Sequence, residues 1–326
     1  QLFCNGHLQT YTLSIRGGTD NLRYFVSGEF LGDEGVLPWN FQDRTNVRVN
    51  LNLLLTPNLS LDLSTGYTSG FTRFATTPSE GDVFDDMQWG KGYCLMRINP
   101  DACPRTGGFQ ERTPGDSWTT ENTREWDRFI GSFTAQHIFQ EFLTQRFIFG
   151  VDNTWEINRN FFPLDPVSPS YRNAQDGQIR YDRPNVANVT LDYAASAQAQ
   201  LTDAFSFTTS FGVQYYSHLT ETFRNTGYGF ALPVQTTINQ TPVTRLQVAY
   251  TYIENKSLGA YIQEEIGWNG RAFLTVAVRG DDNSSFGENM EAQYYPKISA
   301  TWVVSEEPFW NYPLVNTLRL RSAYGQ

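Results

Sequence analysis

Apolar and polar residues alternate along most of this chain. In residues 273–279, Leu274, Val276 and Val278 fall on one face of an extended strand. Residues 46–55 repeat the pattern more cleanly, with Val or Leu at every odd position and Asn or Arg at most of the even positions. A period of two is the period of a half-exposed β-strand. The sequence therefore predicts an all-β chain.

Extending this pattern along the chain gives about twelve predicted strands. Their connections are predicted to alternate between short and long throughout, with long loops at residues 70–125, 158–184 and 222–243. The strand that starts at Arg245 is long, and a β-bulge is expected at residues 254–257. Short turns on one rim and long loops on the other are typical of an antiparallel up-and-down transmembrane β-barrel. A β-sandwich is the alternative, although strict alternation is harder for it.

Composition favours a barrel and excludes two other classes of protein. Aromatic residues make up 15% and charged residues 18% of the 326 residues, and the mean hydropathy is -0.44. A barrel wall combines these properties because lipid-facing and lumen-facing residues alternate in it. There is no apolar run of about 18 residues, so the sequence predicts no transmembrane helix. The net charge of -10 argues against nucleic acid as a partner, since phosphate binding needs a basic patch.

Candidate chemistry is sparse. Cys94 and Cys103 lie in one predicted loop at a spacing that suits a local disulfide in an oxidising compartment, with two free thiols as the alternative. Cys4 has no evident partner in the sequence. Carboxylates within residues 80–86 and 281–291 suit Ca²⁺ chemically, but solvated loop charges are the favoured interpretation. With no catalytic motif and no ligand-spaced histidines, we predict no metal, no cofactor and no enzymatic activity.

The stretch from Arg271 to Phe309 carries a distinctive series of residues. It comprises Arg279, Asp282, Ser284, Ser285, Phe286, Gly287, Tyr295, Pro296, Trp302, Val303, Ser305, Glu306, Glu307 and Phe309. This series resembles the barrel signature of SusC/RagA-type TonB-dependent outer-membrane transporters, without the basic residue that the family usually has before Phe286. The hairpin of residues 11–30, YTLSIRGGTDNLRYFVSGEF, is similar to the hairpin that follows the plug domain in that family.

The resemblance implies a barrel of about 22 strands with a plugged lumen. Residues 1–326 would then be a central slice of one barrel domain, with the plug and the remaining strands elsewhere in a longer protein. In such a wall we expect Val49 to face lipid and Asn50 to face the lumen.

The resemblance also implies a function. It points to active import of a bulky nutrient, such as a glycan or an oligopeptide, across the bacterial outer membrane. A SusD-like lipoprotein lid and TonB are the implied protein partners, and outer-membrane lipid surrounds the barrel. The open alternatives are a passive porin or structural barrel and a soluble carbohydrate-binding β-sandwich. The ligand-contacting residues stay unassigned, because the loop aromatics Trp89, Trp118 and Tyr171 suit loop packing or an interfacial girdle equally well.

Overall fold

The structure, a computed structural model, describes residues 3–75, 119–164, 176–286, 292–312 and 314–326. These residues contain twelve β-strands. The strands are β1 (His7–Gly18), β2 (Leu22–Glu34), β3 (Phe41–Thr56), β4 (Leu59–Arg73), β5 (Glu121–Phe139), β6 (Leu143–Phe162), β7 (Gln178–Thr202), β8 (Phe205–Tyr228), β9 (Leu246–Trp268), β10 (Ala272–Asn283), β11 (Gln293–Val303) and β12 (Arg319–Gly325).

All twelve strands belong to one sheet, in the order β1 to β12, and each pairs antiparallel with the next. This up-and-down arrangement confirms the predicted strand number and topology. One continuous sheet is not two packed sheets, so the sandwich alternative is wrong. Within the described residues, no helix is both long and apolar enough to cross a bilayer.

The sheet has an apolar face and a polar face, as β3 illustrates. Val49 lies opposite Val26 of β2 and Thr65 of β4. Its neighbour Asn50 points to the other face, where the Ser64 hydroxyl donates a hydrogen bond to the Asn50 side-chain oxygen at 2.7 Å. Directly paired residues share a face and successive residues alternate between faces. The predicted division between Val49 and Asn50 is therefore present in the fold.

Buried apolar side chains are confined to strand ends and connections in the described residues. They are Leu37, Trp39, Phe161, Phe162, Ile179, Phe230, Val303 and Val304. The middle of the sheet has no second layer against it, so its apolar face carries exposed side chains such as Leu13, Ile262 and Val276. Such a surface needs an apolar environment on the outside.

The two rims of the sheet differ in their connections. One rim has tight turns, for example Asn58 between β3 and β4 and Asn269–Gly270 between β9 and β10. The opposite rim has longer connections and is uneven, because strand length rises from 12 residues in β1 to 25 in β7 and falls to 7 in β12. The sheet is therefore tallest at β7 to β9.

Strict alternation of short and long connections is wrong at the last hairpin. The connection between β11 and β12 covers residues 304–318 and lies on the tight-turn rim. It folds back through a 3₁₀ turn, Val304–Glu306, and the Ser305 amide donates to the carbonyl of Leu318 at 3.2 Å. A connection that pairs with itself and with the rim in this way can be long without becoming an open loop.

The bulge predicted at residues 254–257 is also wrong. The register of β9 with β8 runs unbroken from Leu246 to Trp268. Irregularities occur instead beside two tight turns, between Leu54 and Thr56 and between Gln200 and Thr202. Long strands with polar residues on one face can therefore stay regular.

Candidate functional site

Ion pairs between neighbouring strands line the polar face. Arg44 pairs with Glu29 at 2.8 Å, and Arg128 holds Asp152 through two bonds of 2.9 and 2.7 Å. Arg124–Glu156 and Arg224–Asp182 are further pairs between neighbouring strands, and Arg180–Asp182 and Arg279–Asp281 are pairs within one strand. Solvent-accessible pairs of this kind add little stability. Their effect is to fix the direction of the arginine side chains along the wall.

A shallow trough runs along β4 on this face because two of its residues are glycines. Arg44 of β3, Gly70 of β4 and Trp126 of β5 stand directly opposite one another across three strands. Arg48 of β3 stands opposite Gly66 of β4, two pairs further along this face towards the tight-turn rim. Glycine has no side chain, so at these two positions, with Thr68 between them, β4 lies low between the taller side chains of β3 and β5. The resulting cleft has a volume of about 340 Å³.

Trp126 leans across the upper end of this trough. A Cβ atom at Gly70 would lie 2.6 Å from Cε2 and Nε1 of the indole, so the ring rests on the Gly70 backbone. At Gly66 the space is open, and the nearest atom, the carbonyl oxygen of Val47, is 3.8 Å away. The guanidinium of Arg124, two residues away on the same strand, lies over the indole at 5.9 Å from its centroid. The indole therefore lies close to the β4 backbone at Gly70, and the trough stays unfilled at Gly66.

A second cleft continues the polar strip towards the uneven rim. Its volume is about 500 Å³, and Arg124, Glu156, Asn160 and Arg180 are among its lining residues. The two clefts lie on the same face because Arg124 and Trp126 are two residues apart on β5. Together they form a continuous strip of hydrogen-bonding side chains, with Trp126 in the first cleft and Phe74 in the second as the aromatic residues among the described lining residues.

The first half of the signature series lies where β10 ends beside the longer strand β9. The last pair of this ladder joins Asn283 to Ser257, and β9 continues beyond it. The Ser284 hydroxyl accepts a hydrogen bond from the next free amide, that of Lys256, at 2.8 Å. The Ser285 hydroxyl donates to Asn255 Oδ1 at 3.0 Å. These serines provide hydrogen-bond partners for polar groups of β9 just beyond the end of the shorter strand β10. This role is structural.

The second half of the series lies at the opposite, tight-turn rim. The Trp302 indole donates to Glu307 at 2.9 Å, and Arg271 from the β9–β10 turn donates to the same carboxylate at 3.1 Å. The hydrogen bond from Trp302, followed by the contact with Arg271, lowers the pKa of Glu307 below its ordinary value. Phe309 packs edge-on against Trp302 with ring centroids 6.4 Å apart. The cluster fastens the β11–β12 connection to the sheet.

The remaining signature residues lie on β9-facing and β11-facing pairs of β10 or in the turns at the two rims. Arg279 stands opposite Tyr295 and holds Asp281, Asp282 pairs with Leu258, and Pro296 pairs with Val278. Phe286 closes the 3₁₀ turn after β10, and Ser305 and Glu306 belong to the turn after β11. Gly287 lies outside the described residues. The series thus divides between two rims, and the structure does not gather it into one ligand site.

Several predicted candidates lie outside the described residues, namely Cys94, Cys103, Trp89, Trp118, Tyr171 and the carboxylates of residues 80–86. Cys4 is described and exposed, and its thiol lies 3.4 Å from the carbonyl oxygen of Val36. Where the structure does describe the chain, no group of three or more His, Cys, Asp or Glu side chains is placed to hold a metal ion.

The trough is the feature that sequence reasoning missed. Its signal was the repeat of Arg124, Trp126 and Arg128 at alternate positions, which puts one aromatic between two cations on the polar face of a strand. The glycine floor has no comparable signal, because Gly66 and Gly70 acquire meaning only once β4 is known to lie between β3 and β5.

One up-and-down sheet with an apolar outer face, a polar inner face and tight turns on one rim defines the wall of an outer-membrane β-barrel. Residues 58–326 match the model of the family described as TonB dependent receptor-like, beta-barrel. The chain belongs to this family. The protein is accordingly an outer-membrane protein of a receptor and transporter family, with its apolar face towards lipid and its polar face towards the lumen.

Known proteins are similar along nearly the whole chain. TonB-dependent receptor P26 of Formosa agariphila is 23% identical over 96% of this chain, and TonB-dependent receptor P3 of the same organism is 19% identical over all of it. The chain spans about a third of the length of these relatives, at 32% and 33%.

Solved structures show the same fold. The RagAB peptide transporter superposes with a TM-score of 0.74 at 16% identity, over 98% of this chain and 36% of that one. P. aeruginosa FpvA bound to heterologous pyoverdines gives a TM-score of 0.56 at 12% identity, over 92% of this chain and 40% of that one. At these identities the likeness concerns the fold alone.

Proposed function

We propose that the full protein imports a bulky nutrient, such as a glycan or an oligopeptide, through the outer membrane by an energised route. In this proposal TonB supplies the energy, a plug domain closes the lumen, and a SusD-like lipoprotein acts as the lid. The single observation that carries the proposal is the match of residues 58–326 to the TonB-dependent receptor barrel. The names of the relatives and the RagAB fold likeness support it.

The twelve-stranded wall suits such a role in two ways. Its polar face offers ion-paired arginines, amides and hydroxyls that can hold a polar plug and then a polar ligand, since buried polar surfaces need hydrogen-bonding partners. Its height at β7 to β9, with strands of 25, 24 and 23 residues, exceeds the 9–11 residues that cross a bilayer. The excess extends the wall beyond the membrane on the rim of longer connections, where a ligand and a lid would meet.

The second candidate function is passive diffusion through a porin. The polar face favours it, because a water-filled channel also needs a hydrophilic wall. Ion pairs across neighbouring strands fit both functions equally. The energy requirement separates them.

The test is uptake of labelled oligosaccharides and oligopeptides by cells that carry the complete gene. Uptake is compared with and without a protonophore, and in cells with and without TonB. We expect uptake to depend on both the proton gradient and TonB, while uptake through an endogenous porin in the same cells continues. Uptake that persists unchanged without gradient and TonB would make the passive porin the better account.

A further inference from the structure

The trough over Gly66 and Gly70 has the chemistry of a particular ligand class. Among the described residues that line it, Trp126 provides the only aromatic surface, and the contact with the Gly70 backbone holds its indole in place. An aromatic face attracts the weakly positive C–H groups on one face of a sugar ring. Because the ring does not have to be ordered on binding, contact with it costs little conformational entropy.

The groups around the indole are planar and already oriented. Arg128 is held by Asp152 through two bonds, and Arg44 is held by Glu29 at 2.8 Å. The guanidinium and carboxylate of such a pair keep unused donors and acceptors that can bind adjacent hydroxyl groups. The side chain of Arg44 is 35% exposed and that of Arg128 is 45% exposed, so a ligand can reach both.

Arg48 differs from these arginines. It lies on β3 opposite Gly66 at the open end of the trough, and no carboxylate of the described residues lies within ion-pair distance of it. An arginine with no acidic partner among the described residues, in a cleft that Trp126 also lines and in a protein of net charge -10, is suited to bind an anionic group of a ligand.

An extended peptide fits this trough less well than a sugar. Strand addition requires a free sheet edge. The floor offers none, because β4 is paired with β3 from Leu59 to Arg73 and with β5 over the same residues. Recognition in the trough therefore falls to side chains. Among the described residues these provide the Trp126 indole, oriented hydroxyl-binding ion pairs and Arg48, a cation without an ion pair.

We propose that this trough binds an acidic oligosaccharide, with a sugar ring on Trp126 and its carboxylate or sulfate group on Arg48. The proposal rests on the proposed import function and narrows its ligand from glycans and oligopeptides to charged saccharides. Carboxylated and sulfated saccharides share a sugar ring with an anionic substituent, and the experiment distinguishes the carboxylate from the sulfate.

The test is calorimetric binding to the purified full-length protein in detergent. The probes are an oligogalacturonate hexamer, a chondroitin sulfate hexasaccharide, neutral maltohexaose and hexaglutamate. We expect an acidic saccharide to bind and the neutral saccharide and the peptide to bind about tenfold more weakly or not at all. Preference for the first or the second probe assigns the anion as carboxylate or sulfate.

Variants locate the binding. Trp126→Ala, Arg48→Gln and Gly66→Leu should each weaken it about tenfold, the last by filling open space in the trough. Trp126→Phe should retain most of the affinity. The matched controls are Trp155→Ala and Arg183→Gln, which lie on the opposite face and should leave affinity unchanged. Heat-modifiable migration in gels confirms that each variant has assembled.

Three results would overturn the proposal: no binding of either acidic saccharide, tighter binding of the neutral saccharide or the peptide, or affinity for the acidic saccharide that the three trough variants leave unchanged. Gradient-dependent uptake of maltohexaose or hexaglutamate in any of these cases would leave the proposed import function standing. Failure of this ligand assignment and failure of the import function are thus distinguishable.

Discussion

The indole of Trp126 lies across the backbone of Gly70 on the neighbouring strand, so close that a methyl group at position 70 would stand 2.6 Å from two ring atoms. Glycine at this position lets the ring lie against the sheet. Residue 66, four positions along the same strand and on the same face, has no comparable neighbour. The two glycines therefore differ in what a side chain would meet.

Substitution of these glycines should separate their roles. Gly70→Ala should destabilise the full-length protein by about 1–3 kcal/mol, since it forces the indole away from the wall. Gly66→Ala should change stability by less than about 1 kcal/mol, because its methyl group enters open space. Urea unfolding in lipid vesicles measures both. If the indole contact is the cause, Trp126→Ala should remove most of the cost of Gly70→Ala, and strictly additive costs would contradict this explanation.

The two faces of β3 should respond oppositely to charge. Val49→Arg places a cation on the lipid side and should cost roughly 2–4 kcal/mol in bilayers if the position lies near the midplane. Asn50→Arg faces the lumen beside Ser64 and should cost far less. Unfolding of the two variants in vesicles of the same lipid makes the comparison, and equal losses would be incompatible with the assigned faces.

A disulfide between Cys94 and Cys103 stays a prediction, because both residues lie outside the described part of the chain. It would close a loop of about ten residues and contribute less than ~3 kcal/mol by the chain-entropy model. We expect its effect to be local and the stability of the barrel wall to be nearly unchanged on reduction. Peptide mass spectrometry of the unreduced protein decides the question, and recovery of both cysteines in alkylated form would disprove the bond.

The Glu307 cluster should make the β11–β12 connection sensitive to acid. The pKa of Glu307 is lowered in the folded protein, first by the Trp302 hydrogen bond and then by Arg271. A lowered pKa gives a stabilisation that is fully present above the ordinary value of 4.5 and is lost as the pH falls through the folded value. The protection of residues 304–318 against hydrogen exchange, measured relative to the intrinsic rate at each pH, should therefore fall as the pH drops below 4.5.

Glu307→Gln provides the control for this effect. The amide keeps an acceptor for Trp302 but does not titrate, so protection in the same segment should be lower at neutral pH and should lose its response to acid in this range. Acid sensitivity that survives in Glu307→Gln would assign the effect to another group.

Strand number and the division of faces were predictable because both follow from a period of two that each strand carries in its own sequence. Residues 46–55 display it without reference to any other strand. Strand ends were less predictable. Pro184 was expected in a loop, yet it lies within β7 and pairs with Thr222 of β8. On the side of β7 that faces β6, Glu156 and Ile157 have no partners in the ladder. The N–H that proline lacks therefore removes no ladder hydrogen bond there.

The trough could not be predicted from the sequence because the residues that form it are distant from one another along the chain. Arg48, Gly66 and Trp126 come from three strands, and a long connection separates the last two. Their proximity depends on the register of β3, β4 and β5. A register shift of one residue would move the side chains of a strand to the other face of the sheet. The long β11–β12 connection was missed for a similar reason, since its anchor joins Glu307 to Arg271 in a different hairpin.

The most direct test of the account asks which face of the sheet meets lipid. In a full-length protein whose native cysteines, Cys4, Cys94 and Cys103 among them, are replaced by serine, a small fluorophore is attached at Val49→Cys or at Asn50→Cys. The protein is assembled in vesicles with and without brominated acyl chains. We predict strong quenching by the brominated lipid at position 49 and little at position 50, since the two side chains point to opposite faces. Equal quenching at both positions, or stronger quenching at position 50, would contradict the assignment of this sheet as a membrane wall with a polar lumen.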